Sequence, residues 1–325
     1  MASQAAPLIE IKQLVKHFPV GGGWTQSPAS VKAVNDVSLA IREGETYGLV
    51  GESGCGKSTT GRLVLRLIEP TAGEVYYQGK NILKYGEEEL RKVRKDLQLV
   101  FQDPFSALNP RIRIGSAIKE TMDIFDIGQN KDRKAQVYEL LDKVGLQTDH
   151  YERYPHEFSG GQRQRIVLAR ALAVKPKFVV CDEPVSALDV STQSQIINLL
   201  EKLQRDMKLT YLFIAHNLSV VRHISDRIGV MYLGNLMEEA ETDELFAQPL
   251  HPYTQALLSA VPHPNPRRKR DRVILTGDVP SPLNLPSGCV FHTRCPLAAG
   301  ACRDTVPELK TVCDGHKVAC HKVYA

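Results

Sequence analysis

No uncharged apolar run in this 325-residue sequence approaches the ~20 residues that a membrane-spanning helix requires. The opening stretch, Met1 to Glu10, has neither a basic start nor an apolar segment, so a secretory signal is not expected. Excess charge of one sign is also lacking. The 41 Lys+Arg and 37 Asp+Glu leave a net +4, too little to imply a nucleic-acid partner. Tryptophan occurs once, as Trp24 in a glycine-rich loop, and no internal repeat is found. Cysteine is nearly missing from the first 288 residues, where Cys55 and Cys181 stand alone. What is present is ordinary for a soluble globular protein: 42% hydrophobic and 24% charged residues, enough to fill a core and exclude global disorder. The length exceeds a usual single core, so one large domain with an appendage, or two domains, is expected.

Leu8 to Phe18 and Val31 to Ile41 alternate apolar and polar residues and predict strands. Thr46 to Val50, Phe178 to Cys181 and Tyr211 to Ala215 are short apolar runs of the kind that form buried parallel strands. The spacing Ile114, Ile118, Met122, Phe125 and the set Val137, Leu140, Leu141, Val144 each predict a helix face. Strands alternating with helices predict an α/β core.

Gly51-Glu52-Ser53-Gly54-Cys55-Gly56-Lys57-Ser58 fits G-x-x-x-x-G-K-[ST], between a strand and an apolar helix from Thr59 to Leu67. Glycines let backbone N–H groups close around phosphate oxygens, and the helix presents its positive end to the same anion. Lys57 suits the β and γ phosphates and Ser58 suits Mg²⁺. Asp182, at a strand end, suits Mg²⁺ as well. Glu183 next to it suits a general base that polarises water.

Four further segments follow in a recognisable order. They are Phe101-Gln102-Asp103-Pro104, then Phe158-Ser159-Gly160-Gly161-Gln162, Ser186-Ala187-Leu188-Asp189 and Ile214-Ala215-His216-Asn217. Together they resemble the Q-loop, signature, D-loop and H-loop of ATP-binding cassette (ABC) ATPases, over roughly residues 8–240. The resemblance implies an α/β nucleotide-binding domain over residues 1–245. Its parts are a RecA-like parallel-sheet core, an antiparallel β subdomain and a helical signature subdomain. It implies that Gly51 to Thr59 and Gln102 bind ATP, that Ser58, Gln102 and Asp182 surround Mg²⁺, and that Glu183, His216 and Lys57 are catalytic. Phe18 aligns with the residue that stacks on adenine. The signature segment would close over the ATP of a partner. Phe158 stands where Leu is commoner. DNA-repair and chromosome ATPases of this family carry long coiled coils, zinc insertions or a second cassette, and none of these is in the sequence.

Beyond about residue 240, prolines recur and a basic run, Arg267-Arg268-Lys269-Arg270, reads as a solvated linker. His251-Pro252-Tyr253-Thr254-Gln255-Ala256-Leu257-Leu258 resembles the C-terminal extension of the oligopeptide/dipeptide importer branch, here residues 246–325. That resemblance implies ATP-driven peptide import; nickel or another small solute is the alternative. The implied partners are a second ABC ATPase, two membrane permeases and an extracytoplasmic substrate-binding protein. The implied place is the cytoplasmic face of a bacterial inner membrane, as a peripheral subunit. Phe105, Leu108, Asn109, Pro110 and Ile112 are candidates either to line a permease pocket or to pack under the helices.

Five cysteines crowd the last 37 residues. Cys289-x5-Cys295-x6-Cys302-x17-Cys320 suits a cubane cluster or a tetrahedral zinc. Packing of reduced thiols is the third reading. The spacing lacks the C-x2-C pairs of most zinc ribbons, and the importer branch associates this pattern with a [4Fe-4S] cluster. Cys313, His292, His316 and His321 offer alternative ligands.

Overall fold

The computed structural model describes residues 6–21, 29–261, 273–313 and 315–324. Trp24 and the basic run from Arg267 to Arg270 lie outside the described residues. The strands are β1 (Ile9–Val20), β2 (Ala29–Ile41), β3 (Thr46–Val50), β4 (Ala72–Tyr77), β5 (Lys80–Asn81), β6 (Leu97–Val100), β7 (Phe178–Asp182), β8 (Thr210–Ile214), β9 (Arg227–Tyr232), β10 (Asn235–Glu241), β11 (Lys310–Cys313) and β12 (His316–Val318). The α-helices are α1 (Lys57–Val64), α2 (Glu87–Arg94), α3 (Pro104–Ala107), α4 (Ile114–Ile124), α5 (Asn130–Lys143), α6 (Gly160–Leu172), α7 (Val190–Met207), α8 (Leu218–Ile224), α9 (Thr242–Ala247), α10 (Pro252–Ser259) and α11 (Gly300–Asp304). The strands and helix faces read from hydrophobic periodicity are all present, with ends shifted by a few residues.

The chain forms two compact units. The first comprises residues 1–42, 46–83 and 215–325; the second comprises 43–45 and 84–214. In the first, β2, β1, β4 and β5 make an antiparallel sheet in that order. Ile9, Ile11, Leu14, Val34 and Val37 are buried on one face, the three-residue steps Ile11 to Leu14 and Val34 to Val37 being absorbed by register shifts between β1 and β2. Strand β3 runs parallel to β9, β9 pairs antiparallel with β10, and β10 pairs with β12 of the terminal hairpin. The expected cut at residue 245 is not a boundary between these units. Residues after it share a sheet with β9 and β10, because β12 completes the hydrogen bonding of the β10 edge.

In the second unit β6, β7 and β8 are parallel neighbours, buried along most of their length. Helices α4, α5, α6 and α7 pack here, through buried stripes such as Val137, Leu140 and Leu141 of α5 and Ile196, Ile197, Leu200 and Leu203 of α7. No helix among the described residues is long and apolar enough to cross a membrane.

Candidate functional site

In the first unit, β3 ends in the phosphate loop and α1 begins at Lys57. Two glycines are required by the loop's geometry. Gly56 has φ 102°, and a Cβ there would strike the Ala33 carbonyl oxygen. Gly51 has φ 152°, and a Cβ there would strike the Met231 carbonyl oxygen. Lys57 is 4% exposed, and its Nζ donates to the carbonyls of Gly51 at 2.8 Å and Glu52 at 3.0 Å. The ammonium therefore lies across its own loop, beside the first turn of α1, whose N–H groups point the same way. Cys55 is buried in the loop, and burial raises its thiol pKa. Ser58 and Thr59 are half-buried in the first turn of α1. Ser53 and Gly54 are exposed at the loop tip. Phe18 is 36% exposed near the end of β1, with the Lys16 ammonium 5.0 Å over its ring, so it is available for stacking rather than sunk in the core. His216 is exposed, and Asn217 beside it caps α8 by accepting the Ser219 N–H at 3.0 Å.

In the second unit, Asp182 is 4% exposed at the end of β7. Glu183 follows in the left-handed region, φ 46°, where a non-glycine residue is held under strain. Its N–H donates to the Ile214 carbonyl at 2.9 Å, and its Oε2 accepts from Gln102 Nε2 at 3.0 Å. Gln102 and Glu183, chosen from separate motifs, are thus in direct contact. The signature serine Ser159 is the N-cap of α6: its Oγ accepts from Gln162 N–H at 3.4 Å, while Gln162 Oε1 accepts from Ser159 N–H at 3.0 Å. Gly161 is needed for packing, since a Cβ would strike the Thr192 side chain, and Gly160 sits against Leu188. Phe158 is 4% exposed, edge-on to the His150 ring at 5.1 Å, so the larger residue is accommodated in the core. Ser186 Oγ donates to the Glu183 carbonyl at 3.1 Å. Asp189 caps α7 and accepts from Ser191 Oγ, Thr192 Oγ1 and Thr192 N–H. These bonds, the one from Ser191 foremost, hold its carboxyl well below the usual range. Of the loop after Gln102, Leu108 is buried while Phe105 is 62% exposed under the Arg163 guanidinium.

The C-terminal residues of the first unit reach the phosphate loop, and this the sequence reading missed. Arg294 donates to both carboxylate oxygens of Glu52, at 2.8 and 3.2 Å. The Glu52 N–H donates to the Tyr253 hydroxyl at 3.0 Å. Tyr232, Tyr253 and Phe291 form a buried aromatic cluster with centroids 4.8 to 5.3 Å apart. Tyr253 belongs to the His251-Pro252-Tyr253 segment, which marked the extension but carried no structural role until the contact was visible.

Cys289, Cys302 and Cys320 are buried and Cys295 is half-buried, all unbridged. The Cys289 N–H donates to the Cys302 carbonyl at 2.8 Å. Burial pushes the Cys289 thiol up to about 11, and the neighbouring Cys302, Cys320 and Cys295 add to the rise. The four are therefore electrostatic neighbours. Sulfurs sharing one zinc, each about 2.3 Å from it, crowd to within about 4 Å of one another. Among the described residues, no three of these four come within 4.8 Å. The trio that does meet this distance is Glu244, Cys313 and His316.

Residues 34–186 match the family described as ABC transporter, and residues 237–302 that described as oligopeptide/dipeptide transporter, C-terminal region. The oligopeptide transport ATP-binding protein AppF of Bacillus subtilis is 54% identical over 324 residues, 98% of each chain. A probable peptide ABC transporter ATP-binding protein of Sinorhizobium fredii is 50% identical over 315 residues, 97% of this chain and 89% of that one. A solved dimeric ATP-binding cassette, in a post-hydrolysis state bound to ADP and Pi, superposes with a TM-score of 0.64 at 30% identity, covering 72% of this chain and 98% of that one.

Proposed function

The chain belongs to the ABC transporter family of ATP-binding proteins, and we propose that it is the ATP-hydrolysing subunit that drives a peptide importer. The observation that carries the reading is the 54% identity to an oligopeptide transport ATP-binding protein over 98% of both chains, C-terminal extension included. In this reading Gly51 to Thr59 take the phosphates, with Lys57 neutralising the β and γ groups. Ser58, Gln102 and Asp182 surround Mg²⁺, and Phe18 stacks on adenine. Glu183 accepts a proton from the attacking water, and His216 contacts the γ-phosphate. Ser159, Gly160 and Gly161 offer the N-terminus of α6 to the nucleotide of a second ATPase in a head-to-tail dimer. Two permeases and an extracytoplasmic binding protein complete the complex, with this subunit peripheral on the cytoplasmic face of the inner membrane.

From their spacing we read the four tail cysteines as a [4Fe-4S] site, with Cys289, Cys295, Cys302 and Cys320 as the ligands. Such a group would order a segment that has few large apolar side chains of its own. Anaerobic purification should then give brown protein containing iron and sulfide; colourless protein with zinc alone would favour the zinc reading.

The experiment that tests the transport role is co-purification of the intact complex from membranes, followed by analysis of the ligand carried by its binding protein. Permeases and peptide are expected. A binding protein loaded with nickel, or no permease at all, would count against peptide import.

A further inference from the structure

The terminal hairpin brings together three side chains that the nucleotide chemistry does not use. Cys313 ends β11 and His316 begins β12, and the two are cross-strand partners. Such partners project to one face with Cβ atoms about 5 Å apart. Glu244, on α9, completes the group, and the three ligand atoms all lie within 4.8 Å of one another.

His316 is the informative member. Its ring is 1% exposed, and Nε2 is 2.7 Å from Oε1 of Glu238, a carboxylate with no exposed surface. Glu238 also accepts the N–H groups of Leu250 at 2.7 Å and His251 at 3.0 Å, which fix the carboxylate in place. A fixed acceptor at Nε2 keeps the proton on that nitrogen and turns the lone pair of Nδ1 outward, toward the trio. Nδ1 is buried and makes no hydrogen bond; Glu244 Oε1 lies 3.7 Å away. A buried, unsatisfied ring nitrogen backed by a carboxylate on its other nitrogen is the arrangement that metal-ligating histidines adopt.

We propose that Cys313, His316 and Glu244 bind a zinc ion, distinct from the four-cysteine set, and so tie the terminal hairpin to α9. Thiolate, imidazole and carboxylate are the ligand types zinc takes, at about 2.0 to 2.3 Å, and a water fills the fourth position. Cys313 is exposed and Glu244 is half-buried, so both can close the remaining distance by side-chain rotation. A proton on Nδ1 would satisfy His316 and Glu244 as well, but it gives Cys313 nothing to do. The thiol therefore separates the two occupants. On zinc binding the Cys313 thiol releases its proton to solvent, and the sulfur becomes a poor nucleophile.

The test uses the full chain, purified without oxygen, and follows alkylation of Cys313 by iodoacetamide with peptide mass spectrometry. One equivalent of Zn²⁺ beyond any bound at the four-cysteine set should slow modification of Cys313 at least tenfold; EDTA should restore it, and Mg²⁺ should have no effect. Glu244→Gln should remove most of the protection. Zinc should raise the thermal midpoint of the wild type but not of Cys313→Ser. Cys313 labelling that is indifferent to saturating zinc, or protection that survives intact in Glu244→Gln, overturns the site.

Discussion

At the scale of single residues, Glu183 is the proposed general base. Its left-handed backbone, the N–H bond to Ile214 and the bond from Gln102 fix where its carboxylate lies. Glu183→Gln keeps the shape but cannot accept a proton. Hydrolysis in the assembled complex, with any second ATPase of the complex also disabled, should fall by about 10² to 10⁴-fold, while ATP binding is retained. Equilibrium binding of labelled ATP beside steady-state phosphate release checks this, and near-wild-type turnover would remove the base assignment. Its position was legible in the sequence, because an apolar run followed by Asp-Glu at a strand end needs no tertiary information. Arg294 was not legible. Nothing in its neighbourhood of the chain announces a partner 242 positions away, and only folding brings its guanidinium to Glu52.

Elements were legible where one local pattern fixes them. The motif at Gly51 to Ser58 set both the end of β3 and the start of α1, and the alternation in β1 and β2 followed from having one buried face. Strand β12 was not legible, because three residues carry too short a period to detect and its partner β10 lies far off in sequence. Helix α10 shows how such contacts govern titration. His251 caps it, with Nδ1 accepting the Tyr253 N–H at 3.0 Å, and the ring is 1% exposed. Burial outweighs the nearby Glu238 and lowers its pKa from 6.5 to about 4. A folded-state value below the unfolded one means that the unfolded chain takes up the proton first. The stabilisation is therefore complete above about pH 6.5 and is lost as pH falls toward 4, to a total of about 3 kcal/mol. His316 opposes this trend, because Glu238 and Glu244 outweigh its burial and raise its pKa. His251→Asn keeps a capping side chain but no titration. Urea midpoints of wild type and His251→Asn should diverge between pH 6.5 and 4. Parallel curves would contradict the burial argument.

At the scale of the molecule, the phosphate loop and the C-terminal extension are one structure within the first unit, joined by the Arg294–Glu52 pair, the Tyr253 hydroxyl and the aromatic cluster. Arg294→Ala removes two charge-assisted hydrogen bonds and should cost about 2 kcal/mol, seen as a lowered thermal midpoint. It should also weaken ATP binding severalfold, because Glu52 lies in the phosphate loop; unchanged ATP affinity would show that the extension braces the fold without influencing the loop. The sequence divided the chain at 245 because composition changes there, yet β10 and β12 pair across that point. Composition records where the chain alters its solvent exposure and turn content, and it holds no information about which strands meet.

Whether ATP hydrolysis by this subunit drives peptide import is decided by uptake into sealed vesicles. Vesicles carrying the purified complex, with ATP on the subunit's side and labelled peptide with binding protein on the other, should accumulate peptide above its external concentration. Lys57→Ala should abolish that accumulation. Accumulation that survives Lys57→Ala, or ATP hydrolysis by the wild-type complex with no peptide entering, would contradict the account.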